Sequence, residues 1–310
     1  MIALAMMMAA AVTGAGVEVT IPGPQGPLAG TWQPSATSDV GPVVVIVPGS
    51  GPTDRNGDNP LGIKAQPYKL LAEALAARGI ASVRIDKRGM FASRAAVADP
   101  NAATIAGYAD DARGWAKFAA AKAHAKCAWV LGHSEGGLVA LQAAQRSDGI
   151  CGVILVSAPG RPLATVMREQ FKANPANAYL LPQALAMLDG LEAGRTTDPA
   201  TLPAPLPMMF PEAVQRYMIG LFRYDPTKLA ATARVPVVIV QGDNDMQVSV
   251  EDAKRLAAAQ PRATLTILPG VNHVLKVVPA GDRMANGASY GDPTLPIAPG
   301  VVDAVASAVK

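Results

Sequence analysis

Gly132-His133-Ser134-Glu135-Gly136 directly follows the apolar run Cys127-Ala128-Trp129-Val130-Leu131 and directly precedes Gly137-Leu138-Val139-Ala140-Leu141. A buried strand, Gly-x-Ser-x-Gly and an apolar helix, in that order, describe a nucleophile elbow. A serine hydroxyl attacks well only when a tight, strained turn lifts it out of the sheet beside a base. The residues two before and two after it must be small, because strand and helix cross closely there and a Cβ would collide. A chance Gly-Ser turn is the competing reading in a chain with 29 glycines, and the flanking strand and helix decide against it.

An elbow serine of this kind is followed along the chain by an acid and then a histidine. There are three histidines, His124, His133 and His273, and only His273 lies downstream of Ser134. It sits in Pro269-Gly270-Val271-Asn272-His273, just after the strand-like run of 263–268, where a loop can carry it over the sheet edge. The acid should follow another strand. The β-branched run Val235-Pro236-Val237-Val238-Ile239-Val240 ends in Gln241-Gly242-Asp243-Asn244-Asp245. Asp245 is the choice for the acid; Asp243 is the runner-up and better suited to capping the turn. The acid would hold the imidazole in one tautomer and stabilise its charged form. The tetrahedral oxyanion needs two backbone donors. Glu135, directly after the nucleophile, supplies one. The loop Pro48-Gly49-Ser50-Gly51-Pro52, after the apolar run of 43–47, supplies the other through the Ser50 N–H, with Gly51 as second choice.

The chain resembles an α/β-hydrolase. The elbow at Ser134, Gly242-x-x-Asp245 and Gly270-x-Asn272-His273 fall in that family's order. Two further segments resemble a bacterial serine-esterase-like branch: 49–57, Gly-Ser-Gly-Pro-Thr-Asp-Arg-Asn-Gly, and 84–89, Arg-Ile-Asp-Lys-Arg-Gly. One departure is Pro48, where the family often has histidine. Asp54, Arg55, Asp86 and Arg88 are expected to brace the loops beside the site through ion pairs. The resemblance implies hydrolysis of carboxylic esters through an acyl-enzyme. An amidase or peptidase of the same fold is the alternative, because specificity lives in lid and pocket. From another class, a non-catalytic ligand-binding protein on the same scaffold is the third. No metal or organic cofactor is implied, since the three histidines and two cysteines form no cluster with metal spacing.

The elements that must position these residues are legible as alternating β and α patterns. Residues 17–21 and 28–32 read as an edge hairpin, and strands are expected at 43–47, 80–86, 127–131, 151–156, 235–240 and 263–268. Helices are expected at 68–78, 104–121, just after Ser134, 250–259 and 301–309, with 281–299 an irregular loop. The expected fold is a mostly parallel, doubly wound sheet covered on both faces. The alternation breaks over 161–226, where two or three helical stretches and a Pro-rich segment read as a helical lid inserted after the strand that follows the elbow. The core is then 16–160 with 227–310. Within the insertion Met208, Met209, Phe210 and Met218 are candidates to line an apolar acyl pocket, as are Leu180, Leu181, Met187 and Leu221. Packing in the insertion's own core competes for each of them.

At 310 residues, 50% hydrophobic and 16% charged, the chain can bury one large domain. The net charge of +3 is spread thinly, with neither a basic run nor interleaved aromatics, so nucleic acid is not an expected partner. A small-molecule ester is. The apolar, uncharged stretch of 1–12, followed by Thr13-Gly14-Ala15-Gly16, is too short to span a bilayer and reads as a signal peptide over 1–15. Periplasmic or secreted localisation is the expectation, cytoplasmic the alternative. Cys127 and Cys151 each open a strand. Neighbouring strands lie about 4.8 Å apart, within the Cα range a disulfide tolerates, so a Cys127–Cys151 bond, which would suit an oxidising compartment, is the expectation and two buried thiols the alternative.

Overall fold

A computed structural model describes residues 15–310. The expected signal peptide over 1–15 lies outside the described residues, apart from its last position. Eight strands form one sheet in the order β1-β2-β4-β3-β5-β6-β7-β8, where β1 is Val17–Pro22, β2 Pro27–Gln33, β3 Val43–Val47 and β4 Ala81–Ile85. The remaining strands are β5 Ala128–His133, β6 Ile150–Val156, β7 Val237–Gly242 and β8 Thr264–Leu268. β1 and β2 form the antiparallel hairpin and β2 joins β4 antiparallel, while every pairing from β4 to β8 is parallel.

Strand composition explains the layering. In β3, Val43, Val45 and Val47 enter the core on one face, and Val44 and Ile46 the other, so both faces need helical cover. The first face is covered by α2 (Ile105–Lys122), α3 (Glu135–Ala143), α8 (Pro226–Thr232) and α9 (Val250–Ala259), the second by α1 (Pro67–Ala77) and α11 (Pro299–Val309). Because β4 and β5 flank β3 on opposite sides, the chain reverses its direction of travel across the sheet there. In open α/β sheets the crevice at such a switch point, beyond the carboxyl ends of the strands, is where ligands bind. The loops after β3 and β5 meet at that point.

Between β6 and β7 lie α4 (Leu163–Ala173), α5 (Leu181–Glu192), α6 (Leu206–Met209), α7 (Glu212–Leu221) and then α8. The first four share an apolar core of their own, including Phe171, Leu188, Leu206, Phe210 and Met218. Buried Gln215 stitches this unit together: its Oε1 accepts from the Thr197 N–H at 2.7 Å and its Nε2 donates to the Phe210 carbonyl at 2.8 Å. A guanidinium ties the unit to the sheet domain, Arg161 donating from Nε and Nη2 to both oxygens of Asp252, each at 2.8 Å. Two helices depart from the sequence expectation. α8 packs on the sheet face through Ala230, and α10 (Arg283–Ser289) interrupts the segment expected to be an irregular loop. Arg-Met-Ala-Asn-Gly-Ala-Ser carries no apolar period that could have revealed α10; an Asp282 cap, accepting from the Ala285 N–H at 2.9 Å, starts it.

Cys127 and Cys151 form a disulfide with a Cα–Cα separation of 5.2 Å. Cys127 lies one residue before β5, and the β5–β6 register shifts between Ala128 and Trp129. That shift, rather than in-register strand starts, accompanies the approach of the two cysteines. Gly152 beside it is required by packing: a Cβ there would stand 2.3 Å from the Trp129 ring.

Candidate active site

Ser134 directly follows β5 and caps α3 with φ 54° and ψ −124°, the strained turn that the motif demands. The close crossing is real. A Cβ on Gly132 would stand 1.9 Å from the Gly136 carbonyl oxygen, and one on Gly136 would stand 2.4 Å from that of Val47. The Ser134 N–H donates to the Val156 carbonyl at 3.0 Å, fixing the elbow to β6.

Asp245 follows β7 and His273 follows β8, and the two side chains meet: His273 Nδ1 lies 2.8 Å from Asp245 Oδ2. A carboxylate only accepts, so Nδ1 carries a proton, and in the neutral imidazole Nε2 keeps the lone pair. Asp245 Oδ1 accepts from the Gln247 and Val248 N–H groups at 2.8 and 2.9 Å. Burial opposes ionisation of Asp245, yet the His273 partner and these two amides together hold its pKa below the usual carboxylate value. Asp243 plays the turn role: its Oδ1 accepts from the Gly270 N–H at 2.7 Å and ties the acid loop to the histidine loop. Asn272, fully buried, pins the same loop by donating to Ser289 Oγ at 2.7 Å. Ser134 Oγ makes no direct hydrogen bond to His273 among the described residues, but both line one cavity of about 120 Å³. Catalytic hydrogen bonds are commonly long before substrate closes them.

Ser50 lines that cavity too, and its N–H has no hydrogen-bond partner among the described residues. Gly51 lines neither cavity at Ser134. Glu135, first residue of α3, has an N–H with no intrahelical acceptor. Gly49 is needed for approach, since a Cβ there would lie 3.2 Å from Ser134 Cβ.

Two residues build the floor of the site: His133, which chain order set aside, and Tyr68, which the sequence did not single out. The Gly49 N–H donates to Tyr68 Oη at 3.1 Å, the Tyr68 hydroxyl meets His133 Nδ1 at 2.8 Å, and His133 Nε2 meets the His273 carbonyl at 2.8 Å. A carbonyl only accepts, so His133 is protonated at Nε2 and its Nδ1 accepts from Tyr68. Burial, reinforced by His273, lowers the His133 pKa to about 3, keeping this tautomer neutral. Lys87 is a third missed residue, buried with its Nζ 2.6 Å from the Gly49 carbonyl.

The bracing residues behave unevenly. Arg55 pairs with Asp86, donating from N and Nε at 2.9 and 3.0 Å. Arg88 pairs with Asp111 of α2 at 2.6 Å instead of with a site loop. Asp54 makes no ion pair among the described residues: its Oδ1 accepts from the N–H groups of Asn56, Gly57 and Asp58 at 2.7, 2.9 and 2.9 Å.

A second cavity of about 210 Å³ also reaches Ser134, lined by Leu138, Leu163, Val166 and Leu221 with Arg161 and Gln170. The pocket expectation needs correction here. Met208 is 81% and Met209 49% exposed, while Phe210 and Met218 belong to the insertion's own core. None of the four lines either cavity at Ser134. Of the wider group only Leu221 does, because α4 and the end of α7 face the elbow while α6 turns away from it.

An alpha/beta hydrolase family model matches residues 44–285. The chain is 27% identical over 274 residues to Esterase EstD of Thermotoga maritima, covering 85% of this chain and 58% of that protein's length. Est1E of Butyrivibrio proteoclasticus, solved with ferulic acid bound, superposes with a TM-score of 0.55 at 17% identity, covering 90% of this chain and 96% of that one. A puromycin-hydrolyzing peptidase of Mycobacterium tuberculosis superposes with a TM-score of 0.56 at 19% identity, covering 87% of this chain and 37% of that one. At these identities the two structures speak to fold alone. No helix among the described residues is long and apolar enough to cross a membrane.

Proposed function

Because this chain belongs to the alpha/beta hydrolase family, we propose that it is a serine hydrolase cleaving carboxylic esters with short to medium apolar acyl groups. The observation that carries the reading is the buried Asp245–His273 pair, which leaves His273 Nε2 free in the cavity that Ser134 and Ser50 also line. The similarity to Esterase EstD supports ester over amide chemistry.

In this mechanism Ser134 Oγ attacks the ester carbonyl carbon as its proton passes to His273 Nε2. The carbonyl electron pair moves to oxygen, and the N–H groups of Ser50 and Glu135 hold the resulting oxyanion. Asp245 stabilises the imidazolium. Collapse expels the alkoxide, which takes the proton from His273. Water, deprotonated by His273, then attacks the acyl-serine; the second oxyanion collapses, expelling Ser134 Oγ, which takes the proton back from His273, and the carboxylic acid leaves. The apolar walls of the 210 Å³ cavity suit the acyl group, and the 161–226 insertion serves as its lid. A p-nitrophenyl ester series of increasing acyl length, run beside aminoacyl amides, tests the reading. Ester turnover peaking at acetyl to hexanoyl is expected, and amide cleavage without ester cleavage overturns it. The Cys127–Cys151 bond supports export to an oxidising compartment, periplasmic or secreted. Recovery only in the cytoplasmic fraction of expressing cells would count against that.

A further inference from the structure

Behind the oxyanion loop lies a buried ammonium that the mechanism above does not use. Lys87 is 3% exposed, two residues beyond β4, with its Nζ 5.3 Å from the centre of the Tyr108 ring. Nζ donates to the Gly49 carbonyl at 2.6 Å and to Glu135 Oε1 at 3.4 Å. The Gly49 C=O and the Ser50 N–H belong to one planar peptide, so they point in opposite directions. A charged donor on the oxygen therefore settles which way the N–H points. It also draws electron density off the nitrogen, and a chain of hydrogen bonds polarised in this way strengthens its far donor. The far donor here is the one aimed at the oxyanion. The same ammonium holds the side chain of Glu135, whose main-chain N–H is the second donor.

We propose that Lys87 is a positioning residue of the oxyanion hole, which orients and polarises the Gly49–Ser50 peptide so that the Ser50 N–H becomes a strong donor where negative charge develops. The proposal rests on the esterase reading. The competing role is a buried ion pair that serves stability only. Removing Lys87 alone would strand Glu135 and confuse the two roles. The informative variant is therefore the charge-free pair Lys87→Met/Glu135→Gln, which keeps the Glu135 backbone donor.

Two measurements on this variant decide the matter. The first is ester kinetics beside the melting temperature. Losing a whole oxyanion donor typically costs on the order of 10²–10³ in kcat, so losing its polarisation should cost about 10- to 100-fold, with KM within about twofold. The melting temperature should stay near wild type. The second is spectroscopic. Gly49–Ser50 is the one Gly-Ser pair in the chain, so cell-free labelling with [1-13C]glycine and [15N]serine gives a single carbonyl–amide correlation. The variant should move both the Gly49 carbonyl and the Ser50 amide proton upfield. Full kcat in a stably folded double variant, or an unmoved resonance, overturns the proposal. A wild-type protein that neither hydrolyses esters nor accepts a fluorophosphonate at Ser134 overturns the esterase reading and the catalytic half of this one. The resonance would still decide whether Lys87 polarises the peptide.

Discussion

His133 Nε2 donates across 2.8 Å to the backbone carbonyl of His273. The residue that precedes the elbow serine thereby holds the loop that carries the second imidazole, and its Nδ1 reaches Tyr68 on the other side. Tyr68 in turn receives the Gly49 N–H. One neutral histidine thus connects the His273 loop, the elbow and, through Tyr68, the Gly49–Ser50 loop, three segments separated widely in the chain. The arrangement uses neutral His133: a proton on Nδ1 would force the Tyr68 hydroxyl from donor to acceptor and would place a charge in a fully buried site.

That condition has a thermodynamic signature. The folded His133 pKa of about 3 lies below its ordinary value of 6.5, so the unfolded chain takes up the proton first. The stability associated with neutral His133 is complete above pH 6.5 and is lost as pH falls toward 3, by about 1.4 kcal/mol per unit. His133→Gln retains a donor for the His273 carbonyl but cannot titrate. Urea unfolding at pH 7, 6, 5 and 4 should show wild type losing more stability than the variant across that window. Parallel curves would dismiss the effect.

Asp245 and Asp243 should separate cleanly on substitution. Asp245→Asn turns a donor toward His273 Nδ1 and favours the wrong tautomer, so kcat should fall by on the order of 10⁴, the cost of the equivalent change in serine proteases. Asp243→Asn keeps an oxygen for the Gly270 N–H and should leave kcat within a few-fold. Steady-state kinetics on a single ester checks both.

Acyl selectivity should follow the cavity walls, not the methionines of the insertion. Val166→Phe fills part of the 210 Å³ space and should lower kcat/KM for butyryl relative to acetyl esters by about tenfold or more. Met208→Ala, at an 81% exposed position, should leave that ratio unchanged.

The disulfide closes a loop with a sequence separation of 24, for which the chain-entropy model gives a stabilisation of about 3 kcal/mol. Cys127→Ala/Cys151→Ala should lose that amount in urea unfolding and keep full ester turnover.

Much of this could be read before any coordinates. The central parallel strands announced themselves because strands buried on both faces demand unbroken β-branched runs, as 43–47 and 237–240 show. Ser134, Asp245 and His273 were legible because strand order dictates their order. What stayed hidden depends on contacts made at a distance. Lys87, between Asp86 and Arg88, carries no signal of its own in the sequence, and only the fold shows β4 bringing it under the Gly49 loop. His133 was set aside by order alone, though its role is to hold rather than to react. Met208 and Met209 looked like pocket residues because composition cannot say which face of a four-residue helix turns outward.

The central claim is that one hydroxyl, at position 134, is the activated nucleophile. Treatment with a fluorophosphonate followed by peptide mapping should find a single adduct, on Ser134, formed slowly in His273→Ala and not at all in Ser134→Ala, whose ester turnover should be abolished. An adduct on a different residue, with Ser134→Ala retaining wild-type ester turnover, would contradict the account.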